Sequence, residues 1–106
     1  MEEKINISFS CGTLTCTLFG ELDHHAERGH RVRIDRAVYE HRPDTLVLDF
    51  SHICFADSSA LGLVMGRKRL CDEMNIALKL RGVSVELSSM LRITGLGVGL
   101  SILQKT

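Results

Sequence analysis

A chain of 106 residues has room for one hydrophobic core and is too short for two. Thirteen basic residues balance thirteen acidic ones, so net charge offers no attraction to nucleic acid or to an anionic membrane. A hydrophobic fraction of 44% with mean hydropathy +0.09 marks a globular rather than a disordered chain, and the longest apolar stretches, such as "ALGLVMG", are far too short for a spanning helix.

In chain order, "KINISF" alternates Ile5, Ile7 and Phe9 with polar neighbours, and "TLTCTLFG" alternates Leu14, Cys16 and Leu18 with threonines. Period two on both sides of the short, glycine-containing "SCG" predicts a β-hairpin with a buried apolar face and a solvated threonine face. The start of the chain, "MEEKINIS", is acidic and does not read as a secretory leader.

The next segment, "ELDHHAERGHRVRIDRAVYEHRP", predicts a helix that begins after Asp23, whose carboxylate can accept from first-turn amides. Ala26, Ile34, Ala37, Val38 and His41 fall on its inner face, and Pro43 stops it at or just before Arg42. Gly29 weakens the first half by about 1 kcal/mol relative to alanine.

"TLVLDF" (45–50) is a nearly continuous apolar run, which predicts a strand covered on both faces; "ICF" after it is too short to assign. A helix is expected from Ser58 to about Met74, with Arg67, Lys68 and Arg69 on its outer face. "IALKLRG" predicts a strand, and Ser84 to Thr94 a short helix. Gly95 suits a left-handed residue after that helix, with Leu96 as the following hydrophobic contact. "GLSILQ" closes as a strand. The order β-β-α-β-α-β-α-β predicts one α/β domain over 1–106: a hairpin, then alternating strands and helices, with helices packed on a mixed sheet that is largely parallel in its later part.

Four cysteines, Cys11, Cys16, Cys54 and Cys71, show no C-x-x-C spacing and sit among apolar residues. They read as reduced, buried thiols, which makes the cytoplasm the expected compartment.

Three stretches invite a chemical reading. In "CFADSSALG" (54–62) a strand-to-helix serine resembles a hydrolase nucleophile, but D-S-S-A lacks the glycines of the G-x-S-x-G elbow. His24, His25, His30 and His41 lie on or beside the first helix and His52 just before the motif, so no base is evident. The plainer reading is that Asp57 or Ser58 caps the helix. Ser58, Gly62 and Gly66 follow at i, i+4 and i+8, a bare strip suited either to a close-approaching partner or to packing on the domain's own sheet. A serine at a helix N-terminus is also a favourable place for a phosphate, since free amides and the helix dipole stabilise negative charge there.

In "GELDHH" (20–25) the adjacent His24 and His25 point about 100° apart on a helix, so they do not share a metal readily. Arg28, Arg31, Arg33 and Arg36 could form a nucleic-acid stripe. However, Glu27–Arg31, Arg31–Asp35 and Arg36–Glu40 are i, i+4 pairs of an ordinary solvated helix face.

Together, "GELDHH" at a strand-to-helix junction and "LVLDFSHICFADSSALGLVMGR" resemble the STAS-domain anti-sigma-factor antagonists, closest to the bacterial sporulation and stress branch. The second motif stands here as Phe55, Asp57, Ser58, Ser59, Ala60, Leu61 and Gly62, and the likeness spans residues about 5 to 104. The resemblance implies a regulatory, non-catalytic protein whose unphosphorylated form binds an anti-sigma factor serine kinase and releases its sigma factor. ATP would sit on the kinase, no cofactor on this chain, and neither nucleic acid nor membrane would be a partner. Ser58 would be the phosphoacceptor; a serine phosphatase would reset it. Glu21, Asp23, Asp57, Ser59, Leu61 and Gly62 would form the partner-binding surface. The alternative is a non-switching STAS accessory or scaffold subunit of a transport or signalling assembly. Two departures stand out: Ala60 replaces the usual glycine and adds a methyl beside the acceptor, and the sequence ends at Thr106, where relatives usually add a helix.

Overall fold

The computed structural model describes residues 4–95 and 101–104. The chain forms β1 (Ile5–Ser10), β2 (Thr13–Leu22), α1 (His24–His41), β3 (Thr45–Ala56), α2 (Ser59–Met74), β4 (Ala77–Val83), α3 (Val85–Ile93) and β5 (Ser101–Gln104), the order expected from the sequence. The strands lie in one sheet in sequence order, antiparallel between β1 and β2 and parallel thereafter.

The β1–β2 turn is Cys11–Gly12, with φ of 52° and 78°. Positive φ at both residues is the twist-matched two-residue hairpin turn. Glycine is favoured at the second by its φ, and a Cβ there would also displace the Asp44 carboxylate, which it would approach to 2.6 Å. Gly12 O in turn accepts from Asp44 N at 2.8 Å, so the turn is tied to the start of β3.

Each parallel step moves in the same direction across the sheet. Right-handed crossovers therefore put all three helices on one face. The core lies between them, with Leu14, Cys16, Leu18, Leu46, Leu48, Leu78 and Leu80 meeting Ile34, Val38, Leu63, Val64 and Leu91. Leu46 to Phe50 are buried on both faces of β3, as the apolar run predicts, although the helices lie on one face only. On the open face Val47 and Asp49 are buried instead by neighbouring side chains, with Arg81 Nη2 on Asp49 Oδ2 at 3.0 Å and Ser51 Oγ on Oδ1 at 2.6 Å. "ICF" belongs to β3, which runs on to Ala56.

The helix ends follow their caps. Asp23 Oδ1 accepts from Ala26 N at 2.8 Å, and Arg42 at φ 43° precedes Pro43 and closes α1. Ser84 Oγ accepts from Leu87 N at 3.1 Å at the start of α3, and Gly95 takes φ 76° after it; the expected Leu96 contact lies outside the described residues.

Three expectations about side chains are overturned. Arg67 does not mark an outer face: it is 5% exposed and pairs with Asp35 of α1, Nε to Oδ1 at 2.9 Å and Nη2 to Oδ2 at 3.3 Å. Asp35 is thereby drawn inward rather than left on a solvated face. His41 is exposed and stacks on Phe9, while His30 takes a buried place on α1. Of the four free cysteines only Cys16 and Cys71 are buried; Cys11 and Cys54 are exposed. Burial pushes the Cys16 thiol up to about 12 and the Cys71 thiol up to about 11, so both stay protonated and act as small apolar groups. No helix among the described residues is long and apolar enough to cross a membrane.

Candidate functional site

The two motifs meet because β2 and β3 are parallel neighbours. Glu21 pairs with Phe55 and Leu22 with Ala56, and Asp57 N donates to Leu22 O at 3.3 Å. "GELDHH" and "FADSS" therefore leave the same end of the sheet side by side, each leading into a helix.

At the start of α2 the two candidate caps divide their roles. Asp57 Oδ1 accepts from Ser59 N at 2.7 Å. That bond is the main reason the carboxylate is held below the usual range, with His24 adding a smaller electrostatic pull. Ser58 sits at the N-cap position with φ −62° and ψ −14°, already helical, and its side chain makes no capping hydrogen bond. A capping serine normally has extended backbone angles that aim its oxygen at the first-turn amides. Here the acid satisfies the amide, and the Ser58 hydroxyl is exposed with no hydrogen bond among the described residues.

The face of α2 below Ser58 is open. A Cβ built on Gly62 or Gly66 would meet nothing within 4 Å, so the glycine strip does not pack on the domain's own sheet. Leu61 packs against the core from a half-buried position. Ala60 is 0% exposed, so its extra methyl fills core space beneath the helix and adds nothing to the outer surface.

The remaining sequence candidates differ in availability. Glu21 is exposed at the end of β2, whereas the carboxylate of Asp23 is engaged with the α1 amide and half-buried. Ser59 is half-buried, its amide held by Asp57. Two large apolar residues beside the site were missing from the sequence candidates: Phe55, 54% exposed, and Met65, 41% exposed. The signal for Met65 was present, since it follows Ser58 at i+7 on the glycine side. Among the described residues no group of three or more His, Cys, Asp or Glu is placed to hold a metal ion.

The fold and the matched residues define the class: a family model described as the STAS domain matches residues 4–102, and the chain belongs to that family. An anti-sigma F factor antagonist of Paenibacillus polymyxa is 30% identical over 96 residues, covering 91% of this chain and 82% of that protein. The anti-sigma factor antagonist SpoIIAA in its unphosphorylated form is similar with a TM-score of 0.77 at 28% identity, covering 96% of this chain and 89% of that one. The Bacillus cell fate determinant SpoIIAA in the phosphorylated form gives 0.76 at 29% identity, with 95% and 92% covered.

Proposed function

We propose that this protein is an anti-sigma factor antagonist switched by phosphorylation of Ser58. The observation that carries the reading is the division of labour at α2: Asp57 takes the capping role, which leaves an exposed, uncommitted Ser58 hydroxyl. Its similarity to an anti-sigma F factor antagonist and to SpoIIAA in both unphosphorylated and phosphorylated forms supports the same role.

In the unphosphorylated state the outer face of α2, with Leu61 and Gly62, and the neighbouring Glu21 dock an anti-sigma factor that is itself a serine kinase, and its sigma factor is released. Asp23, Asp57 and Ser59 act mainly by holding the two helix starts in place. The Ser58 oxygen then bonds to the γ-phosphorus of ATP on the partner as the bond to ADP breaks and the hydroxyl proton is lost. The product gains about −1.5 to −2 charges beside Asp57 and Glu21. The start of α2 tolerates that charge through its amides and dipole, but the acidic rim now faces the partner's nucleotide phosphates. Binding is lost while the fold persists. A serine phosphatase would restore the hydroxyl.

The test is incubation with the purified cognate kinase and ATP, followed by intact mass and site mapping. A single phosphate on Ser58, with release of the kinase, is expected. Absence of the phosphate together with unchanged binding of Ser58→Asp would leave a non-switching STAS subunit instead.

A further inference from the structure

Among the described residues, β3 beyond Asp49↔Arg81 has no partner on its β4 side, because β4 ends at Val83 and the chain turns back into α3. Gly82 fixes where the two separate: at φ 69° it lies so close to Ser51 that any Cβ would collide with that residue. Ser51 N is already taken by Asp49 Oδ1 at 2.9 Å, and past it residues 52–56 run beside β2 alone among the described strands. Between the overhang and α3 lies a cleft of about 280 Å³, with Ile53, Phe55 and Ala56 on one wall, Leu87 and Met90 on the other, and Glu86 exposed among its lining residues. At about 3.3 Å per residue the free edge is roughly 17 Å long, and it runs directly into Asp57 and Ser58.

We infer that this edge and cleft receive an extended segment of the anti-sigma factor, rich in apolar residues and carrying a lysine or arginine, which pairs with β3 as an added strand. The inference rests on the function proposed above and names how that partner is held. An unpaired edge offers a row of N–H and C=O groups that only another extended backbone satisfies in ladder geometry. The apolar walls suit alternate side chains of such a segment. The charges are one-sided: Glu86 lines the cleft and Asp57 directly follows the strand that forms its edge, while among the described residues no lysine or arginine lines it. A second copy of this chain is the competing occupant: its outer strands, "INISFS" and "SILQ", hold no basic residue themselves, but Lys4 stands directly before the first. Pairing here delivers the partner alongside Ser58, so docking and phosphoryl transfer share one approach.

The experiment titrates the full chain with the purified cognate anti-sigma factor, using Met90→Trp to fill the cleft and Glu86→Lys to reverse its charge, with thermal melts to verify folding. Met90→Trp is expected to weaken binding about tenfold and Glu86→Lys about threefold. In the parent complex, amides in 52–56 should gain protection from deuterium exchange. If both folded variants bind within about twofold of the parent while Ser58→Asp has lost binding, the cleft is refuted and the proposed function stands. If the parent binds no anti-sigma factor, both fail. A parent dimer that Glu86→Lys dissolves without changing anti-sigma factor affinity would assign the edge to a second copy and overturn the inference.

Discussion

The inner and outer sides of α2 carry opposite assignments within one helix. Inward, Ala60, Leu63, Val64, Arg67 and Cys71 are buried. Outward, Ser58, Gly62 and Met65 are exposed, and the glycine positions open onto empty space. The inner side sets the position of the helix; the outer side is shaped for something outside the domain. Two glycines in the helix cost about 2 kcal/mol of propensity relative to alanines, a loss the inner packing must offset. Stability and recognition are therefore separable by mutation.

The largest effect is expected on the inner side. Leu63→Ala should cost about 2–5 kcal/mol through lost burial and the cavity left behind, read from urea denaturation, because Leu63 is fully buried. A smaller loss in affinity for the anti-sigma factor would then track only the unfolded fraction.

Arg67 tests whether the inner side is wholly apolar in character. Desolvation pushes Arg67 down and Asp35 up despite their mutual attraction, and Arg67 Nη1 is buried without a hydrogen-bond partner. Arg67→Met alone should cost about 2–3 kcal/mol, because Asp35 is left unpaired but keeps some contact with water. Adding Asp35→Leu should recover most of that loss in the same unfolding assay. A double variant no more stable than the single would show that the ion pair is net stabilising.

On the outer side, Ser58→Asp should reduce affinity for the anti-sigma factor at least about tenfold, or about 1.4 kcal/mol, while the unfolding free energy shifts by less than about 0.5 kcal/mol. Equal affinities by calorimetry would break the comparison at its functional end. Gly62→Ala should raise stability by about 1 kcal/mol through helix propensity, since its Cβ meets nothing. The same methyl should weaken binding; unchanged affinity would remove Gly62 from the contact.

The smallest expected effect concerns pH and His30, which is 5% exposed with Nε2 unpartnered. Burial, and secondarily Arg33, hold its pKa below the ordinary 6.5. Below pH 6.5 the unfolded chain takes up a proton that the folded chain resists, so the full stability present above 6.5 declines as pH falls toward the lowered folded value. Urea midpoints compared at pH 7.5 and 5.5 should show this slope, and His30→Gln should flatten it.

Much of the fold was legible because its signals are local. The period-two hairpin, the Asp23 cap, the Pro43 stop and the order of elements depend on neighbours a few residues apart. The STAS likeness, borne out by the family match over residues 4–102, was legible from two short motifs. Misreadings arose where a side chain answers to a distant partner. Arg67 looked like part of a basic outer face beside Lys68 and Arg69, yet its carboxylate lies 32 residues away on another helix. The exposed cysteines were misread for a related reason, since apolar neighbours in sequence do not guarantee cover in space.

The sequence by itself determined that two motifs each end a strand and open a helix, and that a serine stands beside an acid at one of them. Only the tertiary structure decided which of the pair caps. Parallel β2 and β3 bring Leu22 O to Asp57 N, and within that arrangement Asp57 takes the Ser59 amide while Ser58 faces solvent. It likewise turned the Ala60 methyl into the core and left the last residues of β3 without a paired strand on the α3 side among the described residues. The physical reason is common to all three: a residue's type sets what it can bond or bury, but the position of the sheet sets which side of it is inside.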